Sequence, residues 1–233
     1  MKKLIFFVTL CLVCNETFAQ STTKYPINSQ GEVEFSEVIQ TSVPVQLQWS
    51  NAKQWIASSF GDYKDVIQFE DVENRKMVLK GIIHITPQSD KSLLNNTIKK
   101  NTYFREDIVT FIVTLECKDG RYRYRINGFQ IVRNLHLRQR GTAIGTVEFD
   151  KEIQLPINYN EYAADSLQNM ISILQSADVS AMRKSEATTH QNKIDELTRY
   201  QSLYYNLDVY TYDRIITLIN SLKTAMNVIE EDF

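Results

Sequence analysis

Between Gly31 and Gln40 apolar and polar side chains alternate. Val33, Phe35 and Ile39 fall against Glu32, Glu34 and Gln40, a period of two that predicts a strand. The period then lengthens. After the helix-start signal of Ser42 and Pro44, Val45, Trp49, Ala52, Ile56 and Phe60 recur at three- and four-residue spacing with Trp55 beside them. This predicts one helix ending near Gly61. The helical spacing packs both tryptophans onto a sheet, whereas a sugar-stacking platform would need them exposed. Residues 65–71 and 76–86 read as two strands joined by the polar turn 72–75, and residues 87–106 as a long exposed connection. Residues 108–117 are the strongest strand signal, dense in Val, Ile, Thr and Phe; residues 121–132 answer it, and 146–155 add one more strand before Pro156.

From about Glu161 the pattern becomes helical. Leu167, Met170, Ile171 and Leu174 form one stripe, Ile194, Leu197 and Leu203 a weaker one, and Ile215, Ile216, Ile219, Leu222, Met226 and Ile229 a third. No Pro follows Pro156 and no Gly follows Gly145. Two or three amphipathic helices are expected, packed as a hairpin on the sheet or on a partner, with core packing the default.

The stretch Asp119-Gly120-Arg121-Tyr122-Arg123-Tyr124-Arg125 has a local explanation. Asp-Gly between two alternating runs signals a hairpin, because a type I′ turn needs positive φ at both central residues. A two-residue loop then sets Lys118 against Arg121, Cys117 against Tyr122, Glu116 against Arg123, Leu115 against Tyr124, Thr114 against Arg125 and Val113 against Ile126. Directly opposed residues share a side of the sheet. One face therefore collects Val113, Leu115, Cys117, Tyr122, Tyr124 and Ile126 as core, with Cys117 a buried thiol. The other collects Thr114, Glu116, Lys118 and the three arginines, with Glu116 and Arg123 as a cross-strand pair.

The chain ends alter this picture. Lys2 and Lys3 precede an apolar run at residues 4–13 and a polar stretch closing on Thr17-Phe18-Ala19. That is the pattern of a secretory signal peptide cut near Ala19, too short for the ~20 apolar residues of a membrane span. A lipid anchor at Cys11 or Cys14 is the weaker alternative, because Leu10 and Val13 stand where a small residue should. Removing residues 1–19, with Lys2, Lys3 and Glu16, leaves 24 basic against 27 acidic side chains and Cys117 as the only cysteine. No intrachain disulfide is then available, and the balance does not favour nucleic acid. The expected organisation is a signal peptide over 1–19, a flexible leader over 20–30, an antiparallel α+β domain over 31–158 and a helical hairpin or bundle over 159–233.

The segment QWIASSFGDYKDVIQFEDVENRKMVLKGI, followed by VTFIVTLECKDGRYRYRINGF, resembles the domain-of-unknown-function family 4468 of exported bacterial proteins, over about residues 31–130. The resemblance implies a TATA-binding-protein-like fold: a curved antiparallel sheet with a helix packed on one face and the other face open. It implies no activity, and the nucleic-acid role of the namesake fold does not follow from the fold.

Residues 121–140 hold six arginines and no acid. Lys80 and His84 alternate with Leu79, Gly81, Ile83 and Ile85 and so point to the same open side. The candidate ligand face is Arg123, Arg125, Lys80, His84 and Glu116, suited to an anionic envelope glycan, a lipid head group or an acidic protein surface. A merely solvated face is the simpler alternative. Enzymatic signatures are missing. His84, His136 and His190 are scattered, no zinc-ligand spacing occurs, and there is no GxSxG, P-loop or GxGxxG. The pairs Glu106-Asp107 and Asp150/Glu152 read as strand-edge solvation. No catalytic residue, metal or cofactor is therefore assigned. The expectation is a periplasmic or secreted, non-catalytic binding or envelope-associated protein, with no nucleic-acid partner. An interaction module assembling through its C-terminal helices is the alternative, and an envelope hydrolase the third.

Overall fold

The computed structural model describes residues 25–61, 63–85, 102–140 and 146–229, the side chains of 102–106 and 134–151 excepted. The chain runs β1 (Phe35–Gln40), α1 (Val45–Phe60), a single turn α2 (Tyr63–Val66), β2 (Ile67–Asp71), β3 (Lys76–His84), β4 (Thr102–Lys118), β5 (Arg121–Arg140), β6 (Thr146–Pro156), α3 (Tyr159–Gln175) and α4 (Lys184–Met226). All six strands join one antiparallel sheet in the order β1-β5-β4-β3-β2, and β6 also pairs with β5. β1 and β6 share one edge of β5: β1 takes residues 121–126 and β6 takes 130–140.

The hairpin register holds at every rung from Lys118↔Arg121 to Val113↔Ile126. The turn itself differs from the expected type I′, since positive φ occurs at Gly120 (74°) and not at Asp119. One glycine is enough to close this loop, and Asp119 keeps the ordinary backbone sign of an L residue. Beyond the hairpin both strands are longer than expected. β4 begins at Thr102, inside the stretch read as a connection, and β5 continues past Val132 to Arg140. The polar stretch 133–140 is held as strand by its ladder to β6. Asn127-Gly128 interrupts the ladder: Ile112 faces Asn127 but Thr110 faces Gln130, and Gly128 has φ 64°. The extra residue is a β-bulge, which bends the pair and increases its twist.

One side of the sheet is the core. Met77, Leu79, Ile83, Val109, Phe111, Val113, Leu115, Tyr122, Ile126 and Ile131 are buried there against Trp49, Ala52, Trp55 and Ile56 of α1. An aromatic chain runs through it. Trp55–Phe60, Phe60–Phe111, Phe111–Phe129, Phe129–Phe35 and Phe35–Tyr212 have ring centroids 5.5–6.2 Å apart. Gly81, opposite Phe111 in the ladder, makes room for this chain: an ideal Cβ there would lie 2.4 Å from Phe111 Cε2.

The C-terminal helices complete this covered side. The second stripe and the third as far as Met226 belong to one 43-residue helix, α4, because nothing between residues 184 and 226 breaks it, while Ile229 lies beyond its end and is exposed. Its first half makes a small core with α3, from Ile171, Ile194, Leu197, Leu167 and Leu174. Its second half enters the main core through Ile215, Ile219, Leu222 and Met226. Trp55 Nε1 donates to Ser221 Oγ at 3.0 Å, and Asn51 Nδ2 donates to the Val228 carbonyl at 2.8 Å. Residues 25–30, expected within a flexible leader, are also tied down. Tyr25 is buried, its hydroxyl donates to Asp208 Oδ1 of α4 at 3.0 Å, and Ile27 bridges Val33. A buried tyrosine needs such a partner for its hydroxyl. Among the described residues no helix is long and apolar enough to cross a membrane.

Candidate functional site

Since α1, α3 and α4 all reach the covered side, no helix of the described residues covers the opposite face of the sheet, although Val132 on it is buried. Its rungs follow from the register. Val38, Arg123, Glu116, Lys76 and Asp71 form one row across five strands, and Ser36, Arg125, Thr114, Val78 and Phe69 form the next. Lys80 and Ile112 are opposed in a third row, and Ile82 and Thr110 in a fourth.

The charges on this face are largely matched near the hairpin. Arg123 lies 2.6 Å from Glu116, and Lys76 reaches the same carboxylate at 3.6 Å. Burial pulls the Glu116 carboxyl up, yet the hydrogen bond and charge of Arg123, with Lys76 behind, outweigh it and hold it below the ordinary glutamate value. An exposed cross-strand pair of this kind contributes about 0.2–1 kcal/mol. Arg125 sits 3.6 Å from Glu34. Of the expected ligand face, therefore, Arg123, Glu116 and Arg125 are engaged in pairs within the chain. Lys80 is exposed and has no ion-pair partner among the described residues, and the same holds for Lys118 and Arg121 at the hairpin end. His84 is exposed four residues further along β3, about 13 Å from Lys80, so the two do not converge. Val38, Glu116, Lys118, Arg121 and Arg123 line a shallow depression of about 200 Å³.

Between these charges the face is apolar. Val38, Phe69, Ile82 and Ile112, from four different strands, are 41–51 % exposed. The sequence signal for them is the unbroken apolar run: where β3 and β4 carry Ile on both sides of the pleat, the outward copy has no core to enter. The alternation of charged residues alone did not disclose them.

The arginine run does not lie on one face. Arg133 is 2 % exposed and belongs to the covered side, where its Nε donates to Asp107 Oδ1 at 2.8 Å. Its second nitrogen donates to Asn160 Oδ1 at 3.1 Å, and Tyr159 and Tyr204 flank the guanidinium at 5.7 and 5.8 Å. Burial disfavours the charged guanidinium, but the Asp107 hydrogen bonds and charge outweigh it and raise its pKa. Asp107 is thus an interior ion-pair partner and not strand-edge solvation. The side chains of Arg138, Arg140 and His136 lie outside the described ones. Cys117 is buried, and burial pushes its thiol up to about 12, the opposite of an activated nucleophile. Among the described residues no three His, Cys, Asp or Glu side chains group as metal ligands would.

A family model described as a domain of unknown function (DUF4468) with TBP-like fold matches residues 35–131. The chain is similar to the crystal structure of a TBP-like protein from Parabacteroides distasonis ATCC 8503, at 10 % identity, covering 88 % of this chain and 99 % of that one with a TM-score of 0.45. It is also similar to a DUF4468 family protein from Bacteroides ovatus ATCC 8483, at 12 % identity, covering 91 % and 95 % with a TM-score of 0.42. No curated protein matches. From β1 to the middle of β5, residues 35–131 match the model of the DUF4468 family, a domain of unknown function with TBP-like fold.

Proposed function

We propose that this is an exported, non-catalytic binding protein whose open sheet face receives an acidic protein surface bearing apolar side chains. One observation carries this: exposed Val38, Phe69, Ile82 and Ile112 share a face with Lys80, Lys118 and Arg121, cations without ion pairs among the described residues. Apolar side chains spaced across several strands favour a partner that can desolvate them, and the cations choose its charge. A free anionic glycan would use the cations alone and leave the apolar groups wet. A lipid head group would meet the cations but not a flat array of side chains one sheet wide. The signal-peptide pattern at residues 1–19 supports a partner met in the periplasm or outside the cell.

The chain from Gln20 onward, titrated with an acidic amphipathic peptide of Glu and Leu, should show amide shifts confined to the open-face rows. Replacing Lys80, Lys118 and Arg121 together by Ser should weaken binding about tenfold, as three surface charge contacts of ~0.5 kcal/mol each would give. Heparin and phosphatidylglycerol vesicles are the competing probes. Binding of either in place of the peptide, or a triple variant that binds as tightly as the parent, would overturn an acidic protein surface as the occupant.

A further inference from the structure

We infer that the occupant of the open sheet face is the outer side of α3 from a second copy of the chain, giving a head-to-tail assembly; this rests on the open face being a binding surface. α3 packs through one side and carries exposed apolar groups on the other. Asn160, Ala164, Leu167, Ile171 and Leu174 turn inward to α4 and the Arg133 cluster. Tyr162, Ser166, Asn169 and Ile173, at three- and four-residue steps, form a second stripe opposite the first. Tyr162 and Ile173 are 71 % and 70 % exposed, and Met170 beside them is 47 % exposed. A helix packed on one side only would not need large apolar groups at both ends of that outer stripe.

Charge and dimensions both match the bare sheet. Residues 159–182 carry no Lys or Arg, and exposed Asp165 flanks the outer stripe. The sheet offers Lys80, Lys118 and Arg121 in return. Tyr162 and Ile173 are eleven residues apart, about 16 Å along a helix. Val38 on β1 and Phe69 on β2 are separated by four strand spacings, about 19 Å. The helix can therefore lie across the strands with its two large apolar groups near the outer ones. The contact has to be intermolecular, because Asn160 of α3 accepts from Arg133 on the covered side, the far side of the sheet from the open face. Two different surfaces meeting in this way form a heterologous contact, which propagates into a ring or an open chain.

Sedimentation velocity on the chain from Gln20 onward tests this. The parent should grow in size with concentration, and less so in high salt. Tyr162→Asp with Ile173→Asp should be monomeric, and so should Lys118→Glu with Arg121→Glu. All four positions are exposed, so each variant should keep the parent's thermal unfolding midpoint. Mixing the two variants should give a one-to-one heterodimer, because each retains one intact surface. A parent that stays monomeric up to millimolar concentration, or a mixture that does not pair, would overturn the inference. So would a dimer that survives in the Lys118→Glu, Arg121→Glu variant alone, which would mean α3 packing on α3. If the mixture fails to pair while the parent still binds the acidic amphipathic peptide through Lys118 and Arg121, only the second copy is wrong and the binding face stands.

Discussion

Asp107 and Arg133 face each other inside the molecule, and each would be costly there alone. Replacing Arg133 by Met takes this cation from a carboxylate with 4 % exposure, which should destabilise the protein by about 3–5 kcal/mol in urea unfolding. The double replacement Asp107→Leu with Arg133→Met removes both charges, keeps the volume, and should be more stable than Arg133→Met alone. Equal or additive losses would mean that the pair is not what holds Arg133 in place. The sequence could not reveal this pair by counting. From the hairpin outward, each rung follows the one before, and simple counting sets Asp107 against Val132. The extra residue at Gly128 shifts the ladder by one, and in a strand a shift of one moves a side chain to the other face. That single glycine sends Arg133 into the core instead of onto the arginine face.

At the scale of the elements, what the sequence shows well is whatever has a clean period. α1 was legible from its start signal to Gly61, and the hairpin rungs from Lys118↔Arg121 to Val113↔Ile126 followed from the loop length. The far halves of β4 and β5 were not legible, because residues 133–140 are mostly polar and give little strand signal on their own. Pairing with β6 overrides that preference. The same dependence on neighbours makes Gly81 informative. Its rung partner Phe111 fills the space of the missing side chain, with Phe60 behind it. Gly81→Ala should push the Phe111 ring off its place and cost about 1–3 kcal/mol by overpacking. Thermal unfolding measures this, and a variant as stable as the parent would show that the rings have room to move.

For the whole molecule, the boundary drawn near residue 158 divides the sequence by texture, whereas the core ignores it. Ile215, Ile219, Leu222 and Met226 lie in the same buried cluster as Trp49, Trp55 and Phe111. Four such side chains contribute roughly 1.5–3 kcal/mol each when buried, together comparable to the whole stability of a typical domain. A chain ending at Tyr205 should therefore lose cooperative unfolding and near-ultraviolet circular dichroism. A truncated chain that unfolds as sharply as the parent would mean that the sheet and α1 suffice. The sequence could not decide where the last stripe docks, since an apolar helix face looks the same whether it meets its own sheet or another chain.

The position of α4 also sets an order in time. A ribosome releases this chain from its N-terminal end, so Trp49, Trp55 and Phe60 emerge long before Ile215 to Met226, which cover them. At about 5–20 residues per second the interval is on the order of ten seconds. Through all of it the aromatic core lacks the side that α4 supplies, and Tyr25 has no Asp208 to bond. The growing chain is thus held open by its own topology until its last turns appear. An unfinished chain of this kind is one that a chaperone must still shield.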